Sequence, residues 1–318
     1  MKALVLSGGS IKGAFQVGAI EYLLGDGGFQ PDFIYGMSVG ALNGAFLVDR
    51  AGQQAVKDKD QPVNWKSIGK ELTSFWTTNI TSPDKLVDTR SGVSIVWDTL
   101  FNNFDGLVDT AALQALVKGQ ISVDNLRAAK PQLMVGYVNL ANGQLKYADA
   151  SFPNIVDYVI GSTAIPIAMP IKMVGDAPLV DGGTIEIAPL GRAINAGATE
   201  IACIVCQAED VGGAAFDRKN LMQLVSRVMD IVTNATVEND LKQVQYVNDL
   251  VSLHKDDTLG ALLKNYRNIP VTLVRPSAPI NVEIDTFTTS DIQEMIKEGR
   301  YAAQHATQIL AAKLQATP

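Results

Sequence analysis

"FIYGMSVGALNGAF", residues 33–46, is the stretch on which the reading of the fold turns. Phe33-Ile34-Tyr35 is a short apolar run of strand type. Gly36-Met37-Ser38-Val39-Gly40 follows, and Ala41-Leu42-Asn43-Gly44-Ala45-Phe46 continues as a helix. A serine framed by two glycines between a strand and a helix has the setting of a nucleophile elbow. The glycines permit a tight, strained turn, and the hydroxyl projects at the sheet edge. The helix behind aims its first amides, and about half a positive charge, at that spot. The plainer reading is a tight turn whose serine caps the helix.

A second glycine turn lies upstream, in "LSGGSIKGAF", residues 6–15. It follows a buried strand over 2–6 and opens a helix over Ile11 to Leu24, ended by Gly25 and Gly27-Gly28. A phosphate-binding loop needs Lys and Ser/Thr after its last glycine, but Ala14-Phe15 stand there. A dinucleotide fingerprint needs a glycine where Ser10 stands, and Asp32 opens the second strand instead of closing it. The third reading pairs this turn with Ser38. Amides of Gly9 and Ser10, at a helix N-terminus, suit an oxyanion that exists only during reaction.

A nucleophile needs a base. The chain has two histidines, His254 in a polar stretch and His305 in a helical pattern, and neither adjoins a strand end or glycine turn. A Ser-His-Asp triad stays open, since its members need only meet in space. Asp181, in Pro178-Leu179-Val180-Asp181-Gly182-Gly183, follows an apolar pair and precedes two glycines. That places it at a strand end facing a cleft, or in a D-G hairpin turn.

Further strands are expected over 133–139, Leu145 to Ala148 (through an Asn142-Gly143 hairpin), 201–206 and Val271 to Val274. Residues 155–163 read as a helix. Two long helical patterns follow, one from Leu221 to Leu250 and one from Ile292 to Leu314. Their apolar stripes suit a core face, or membrane contact. Alternating strands and helices argue for α/β: a mostly parallel central sheet flanked by helices. Residues 50–125 are the least regular part and hold Trp65, Trp76 and Trp97, with Phe75, Phe101 and Phe104. They read as an inserted cap or lid, or as a piece with its own small core. The whole chain, 1–318, reads as one domain, with 207–318 a helical part on the same core.

The formal net charge is −7, which argues against a nucleic-acid partner. It also disfavours strong attraction to anionic membranes. No apolar run reaches the ~18–20 residues of a spanning helix. The first apolar run stops at Ser7, so no signal peptide is expected. Cys203 and Cys206 form a C-x-x-C pair inside an apolar run, which reads as buried strand in preference to a zinc or redox site. A cytoplasmic protein is expected, with peripheral membrane contact allowed. No calcium loop is present, and neither metal nor cofactor is expected.

Taken together, three motifs resemble the patatin-like phospholipases: Gly8-Gly9-Ser10-Ile11-Lys12-Gly13, Gly36-Met37-Ser38-Val39-Gly40 and Asp181-Gly182-Gly183. "GSTAIPIAMP", residues 161–170, and "PLGRAINAGATEI", residues 189–201, resemble family segments too, and the similarity runs to about residue 206. The family loop is usually G-G-G-x-[RK]-G; here Ser10 replaces the third glycine and keeps a backbone amide. The resemblance implies a three-layer α/β/α fold and a lipid acyl hydrolase with a Ser–Asp dyad. Ser38 would attack the ester, Asp181 would accept and return the proton, and amides of Gly8, Gly9, Ser10, Lys12 and Gly13 would hold the oxyanion. Gly36 and Gly40 would frame the elbow, Gly182 and Gly183 the aspartate turn. A histidine-dependent esterase and a catalytically silent binding or scaffold protein are the competing readings.

Overall fold

The computed structural model describes residues 1–91, 94, 105–213, 219, 221–254 and 267–309. Its strands are β1 (Lys2–Leu6), β2 (Phe33–Met37), β3 (Asp88–Thr89), β4 (Val108–Asp109), β5 (Gln132–Asn139), β6 (Gln144–Ala148), β7 (Lys172–Val174), β8 (Ala177–Asp181), β9 (Glu200–Ile204), β10 (Val271–Val274) and β11 (Thr307–Ile309). Its α-helices are α1 (Gly13–Ile20), α2 (Val39–Lys57), α3 (Trp65–Asn79), α4 (Ala111–Gln120), α5 (Val123–Ala128), α6 (Ile155–Ser162), α7 (Leu190–Asn195), α8 (Leu221–Leu253) and α9 (Thr289–Gln304).

Among the described residues, nine strands form one mixed sheet in the order β11-β10-β9-β1-β2-β5-β8-β7, with β6 also on β5. The five strands from β10 to β5 are parallel. Successive residues of a strand face opposite sides, and β1 shows the result. Leu4 and Leu6 join a core with Phe15, Leu47 and Ile292, whereas Ala3 and Val5 join another with Leu190, Val237 and Leu241. Helices α1, α2 and α9 cover the first face, α7 and α8 the second. This is the three-layer α/β/α arrangement.

The strand β5 is long enough to carry two partners on one edge. β2 pairs with its residues 132–136 and β8 with 137–139, while β6 spans 135–139 and so occupies the other edge. β2 runs parallel to β5 and β8 antiparallel. Their C-terminal ends therefore meet head to head: Met37 lies opposite Gly136, and Asp181 opposite Tyr137, the next residue.

Several elements differ from the sequence reading. The first helix is one helical stretch from Ser10 to Asp26, opened by a 3-10 turn and closed by a π turn. α2 runs on to Lys57, well past Phe46. The region read as least regular holds α3, α4 and α5. Trp65, Ile68, Leu72 and Trp76 recur at helical spacing and belong to the same core as Leu4 and Phe15. Trp97, Phe101 and Phe104 lie outside the described residues.

The C-terminal helical pattern ends early. α9 stops at Gln304, and Thr307–Ile309 turn back as β11, antiparallel to β10. An unpaired sheet edge recruits β-branched residues such as Thr307 and Ile309. Leu314 lies outside the described residues. Among those described, no helix is long and apolar enough to cross a membrane.

Candidate active site

Ser38 sits where β2 gives way to α2, with φ 54 and ψ −125. A serine in that region carries strain of roughly 1–3 kcal/mol, so its surroundings must hold it. Two glycines make the turn possible. A Cβ at Gly36 would lie 2.5 Å from the carbonyl oxygen of Gly40, and one at Gly40 would lie 2.3 Å from that of Leu6. The Ser38 amide donates to the Ser162 hydroxyl, 2.8 Å away, at the end of α6. Ser162 is fully buried and fastens the elbow. Sequence reasoning did not single it out; its signal was the Gly161-Ser162-Thr163 run at a helix end.

Asp181, the last residue of β8, is 4% exposed. Its Oδ1 accepts from the Gly183 amide at 2.8 Å, and the Ser38 side chain stands beside it on the wall of the same cavity. Burial pushes its pKa up to about 6, with the neighbouring Ser38 hydroxyl and the Gly183 amide opposing part of that shift. A 3-10 turn, Gly182–Thr184, follows in place of a hairpin. A Cβ at Gly182 would lie 2.2 Å from the Met37 sulfur, so the close meeting of β2 and β8 requires glycine there.

The glycine loop after β1 lies against this pair. A Cβ at Gly8 would come within 3.2 Å of the Ser38 Cβ. The Ser7 hydroxyl and Gln207 side-chain amide both donate to the Gly8 carbonyl, at 2.8 and 3.2 Å. Gln16 donates to the Ser7 carbonyl at 2.7 Å, and the Lys12 ammonium pairs with Asp230 of α8 at 2.7 Å. Not every amide of the loop is free. Gly8 donates to Ile187, Lys12 to Gly9, and Gly13 to Ser10 and Ile11 carbonyls. The amides of Gly9 and Ser10 have no acceptor among the described residues, nor does that of Val39, the first residue of α2. Ser10, at φ 52, adopts the left-handed backbone a glycine would take easily.

Ser38 opens on two apolar spaces. One, of about 100 Å³, is lined by Ile165, Met169, Val225, Met229 and Ile284, with Lys12 and Asp230 among its polar groups. The other, of about 50 Å³, lies between α2, α3 and α4. Asp181 lines the first and not the second.

Neither histidine lines these spaces. His254 follows the last turn of α8, and the His305 ring packs on Tyr301 at the end of α9. Cys203 and Cys206 are buried free thiols whose pKa burial pushes up to about 12, and Cys206 packs against Gly9. Among the described residues no cluster of metal-ligating side chains occurs.

This geometry has a counterpart among known families. The model of the patatin-like phospholipases matches residues 4–194, which contain the glycine loop, the elbow and Asp181. The chain belongs to that family, and membership implies a lipid acyl hydrolase. No curated protein matches the chain. Among solved structures, VipD from Legionella pneumophila is similar at 15% identity and a TM-score of 0.41, over 96% of this chain and 66% of that one.

Proposed function

We propose that the chain cleaves fatty-acyl esters of phospholipids or related lipids through an acyl-Ser38 intermediate, with Asp181 as its only protein base. One observation carries this reading: Ser38, in the strained elbow, lines the same cavity as a buried carboxylate that no cation among the described residues touches. An ordinary aspartate, pKa about 3.9, is a weak base for a serine. At about 6 the carboxylate is ionised at neutral pH, yet closer to the pH at which it must work.

In the proposed cycle the Ser38 oxygen attacks the carbonyl carbon while its proton passes to Asp181. The amides of Gly9 and Ser10, and that of Val39, hold the negative oxygen. Collapse breaks the bond to the leaving alcohol, which takes the proton from Asp181. Water then attacks the acyl ester, giving its proton to Asp181; the bond to the Ser38 oxygen breaks, Asp181 returns the proton to that oxygen, and the fatty acid leaves. The helix dipole of α2 favours the charged intermediate.

Peripheral contact with a lipid surface fits the rim of the site. Ile167, 60% exposed, projects from the loop whose neighbours Ile165 and Met169 line the cavity. Leu224, Val228 and Ile231 are exposed on α8, whose Val225 and Met229 face inward. The net charge of −7 suits zwitterionic rather than anionic lipid.

The test is mass spectrometry of products from a mixed lipid extract. Free fatty acid released by the wild type and not by Ser38→Ala is the expected result. Release that survives Asp181→Ala but not His254→Ala or His305→Ala would favour a histidine-dependent esterase. No release, with no labelling by a fluorophosphonate, would favour a silent lipid-binding protein.

A further inference from the structure

We infer that the substrate's acyl chain lies in a two-chamber apolar corridor leading from Ser38 between α2, α3 and α4, and that its capacity selects chains of medium length. This rests on the acyl-hydrolase reading and specifies its substrate.

The first chamber, about 50 Å³, begins at Ser38 and Ser10. A second, about 40 Å³, lies beyond it and is walled by Phe46, Phe75, Leu116, Val117 and Ile121. The two share Leu42, Trp76, Ile80 and Leu113, which form the neck between them. The walls are fixed. The Trp76 indole donates to the Asn43 side-chain oxygen at 2.9 Å, and the Asn43 amide donates to the Gly13 carbonyl and to Gln16. Phe46 and Phe75 pack with ring centroids 5.3 Å apart and planes tilted by 35°.

The corridor offers nothing to a polar head group. Asn43 spends its amide and its oxygen on Gln16, Gly13 and Trp76, and the Thr163 hydroxyl donates to Ile160. At the far end Gln120 accepts from Arg50 at 2.8 Å through its side-chain oxygen, and the Arg50 guanidinium covers the Phe46 ring at 4.3 Å. That charged stopper penalises a chain that would run further. The larger space on the other side of Ser38, with Lys12 and Asp230 in its wall, is left for the alcohol that departs.

Capacity follows from size. One water-sized group needs roughly 10–15 Å³ of such space, so the chambers hold about four and three groups. A methylene is of comparable size. An octanoyl chain fills the corridor, a butyryl chain leaves the second chamber empty, and a palmitoyl chain overruns it.

The experiment compares kcat/KM for p-nitrophenyl butyrate, octanoate and palmitate. Each buried methylene is worth about fourfold, so octanoate, with four more, is expected to exceed butyrate by about 250-fold. Palmitate is expected to fall below octanoate. Leu116→Phe, at a half-buried position in the second chamber, should lower the octanoate-to-butyrate ratio at least tenfold. Phe75→Ala, which lengthens the chamber, should raise the palmitate-to-octanoate ratio. Ratios cancel any loss of folded protein, and Leu116→Phe decides alone if Phe75→Ala does not fold. If the esters are cleaved but neither variant shifts the ratios, the corridor is wrong and the hydrolase reading stands. If the wild type cleaves none of them, the hydrolase reading itself falls and takes the corridor with it.

Discussion

Two aspartates are buried among the described residues, and they are treated in opposite ways. Asp49, in the middle of α2, is fully buried and accepts from four donors: Arg50, Gln53, the Ser122 amide and Asn125, at 2.5 to 2.9 Å. One of the four is a cation. Asp181 is almost as deeply buried and, among the described residues, accepts from the Gly183 amide, with the Ser38 hydroxyl beside it. A carboxylate with four donors and a charge beside it is a structural joint, tying α2 to α5. One left short of donors is a base in waiting, because a proton arriving from Ser38 relieves a buried charge. The first is organised for stability, the second at the expense of it.

The contrast is broken most severely by removing each carboxylate. Asp181→Ala and Ser38→Ala should each lower ester turnover by about four orders of magnitude, measured with purified folded protein. Asp49→Ala should leave the half-buried Arg50 with only the more distant Glu71, strand the donors of Gln53, Ser122 and Asn125, and cost about 3 kcal/mol in urea unfolding. The molecules that stay folded should still turn over substrate. Equal losses of activity and stability in both variants would erase the distinction.

Next is Gly40→Ala. Its methyl would meet the Leu6 carbonyl oxygen at 2.3 Å, so the elbow must shift; a loss of roughly 4 kcal/mol, with activity, is expected in thermal unfolding.

The pH dependence sharpens the comparison. The free-enzyme kcat/KM profile should rise through pH about 6 as Asp181 ionises. The stability consequence runs the other way. The folded pKa lies above the ordinary value of about 3.9, so the stabilisation present below that value is lost as pH rises through about 6. Ionised Asp181 then burdens the fold by on the order of 3 kcal/mol. Asp181→Asn should therefore gain stability relative to the wild type between pH 4 and pH 8, by up to that amount. A constant difference across the range would contradict it. The smallest effect is expected of His254→Ala and His305→Ala, which should stay within about twofold of wild-type turnover.

The parts of the site that sequence made legible are those set by local sterics. Gly36 and Gly40 announce the elbow because no other residue fits within it. The meeting of Ser38 with Asp181 is different. It depends on β8 pairing antiparallel on the edge of β5 that β2 vacates after residue 136, a tertiary choice that leaves no trace in either motif. The glycine loop shows the same limit. Its motif names Gly8, Gly9, Ser10, Lys12 and Gly13 alike, yet Gly8 is spent on Ile187, Lys12 on Gly9 and Gly13 on the helix. At the C-terminus, helical spacing carries on through Ile309, but the open edge of β10 claims Thr307–Ile309 as a strand. In the region from 65 to 79 the helical spacing of Trp65, Ile68, Leu72 and Trp76 is legible, and it is the packing of these residues into the main core that the spacing alone does not specify.

The central claim is that Asp181 alone activates Ser38. The rate at which a fluorophosphonate labels Ser38, followed by intact mass between pH 4.5 and pH 8 in wild type and Asp181→Asn, tests it most directly. The account predicts a wild-type rate that climbs through pH about 6 and levels off, and a slow, pH-independent rate in the folded variant. The same rate and the same profile in both proteins would contradict it.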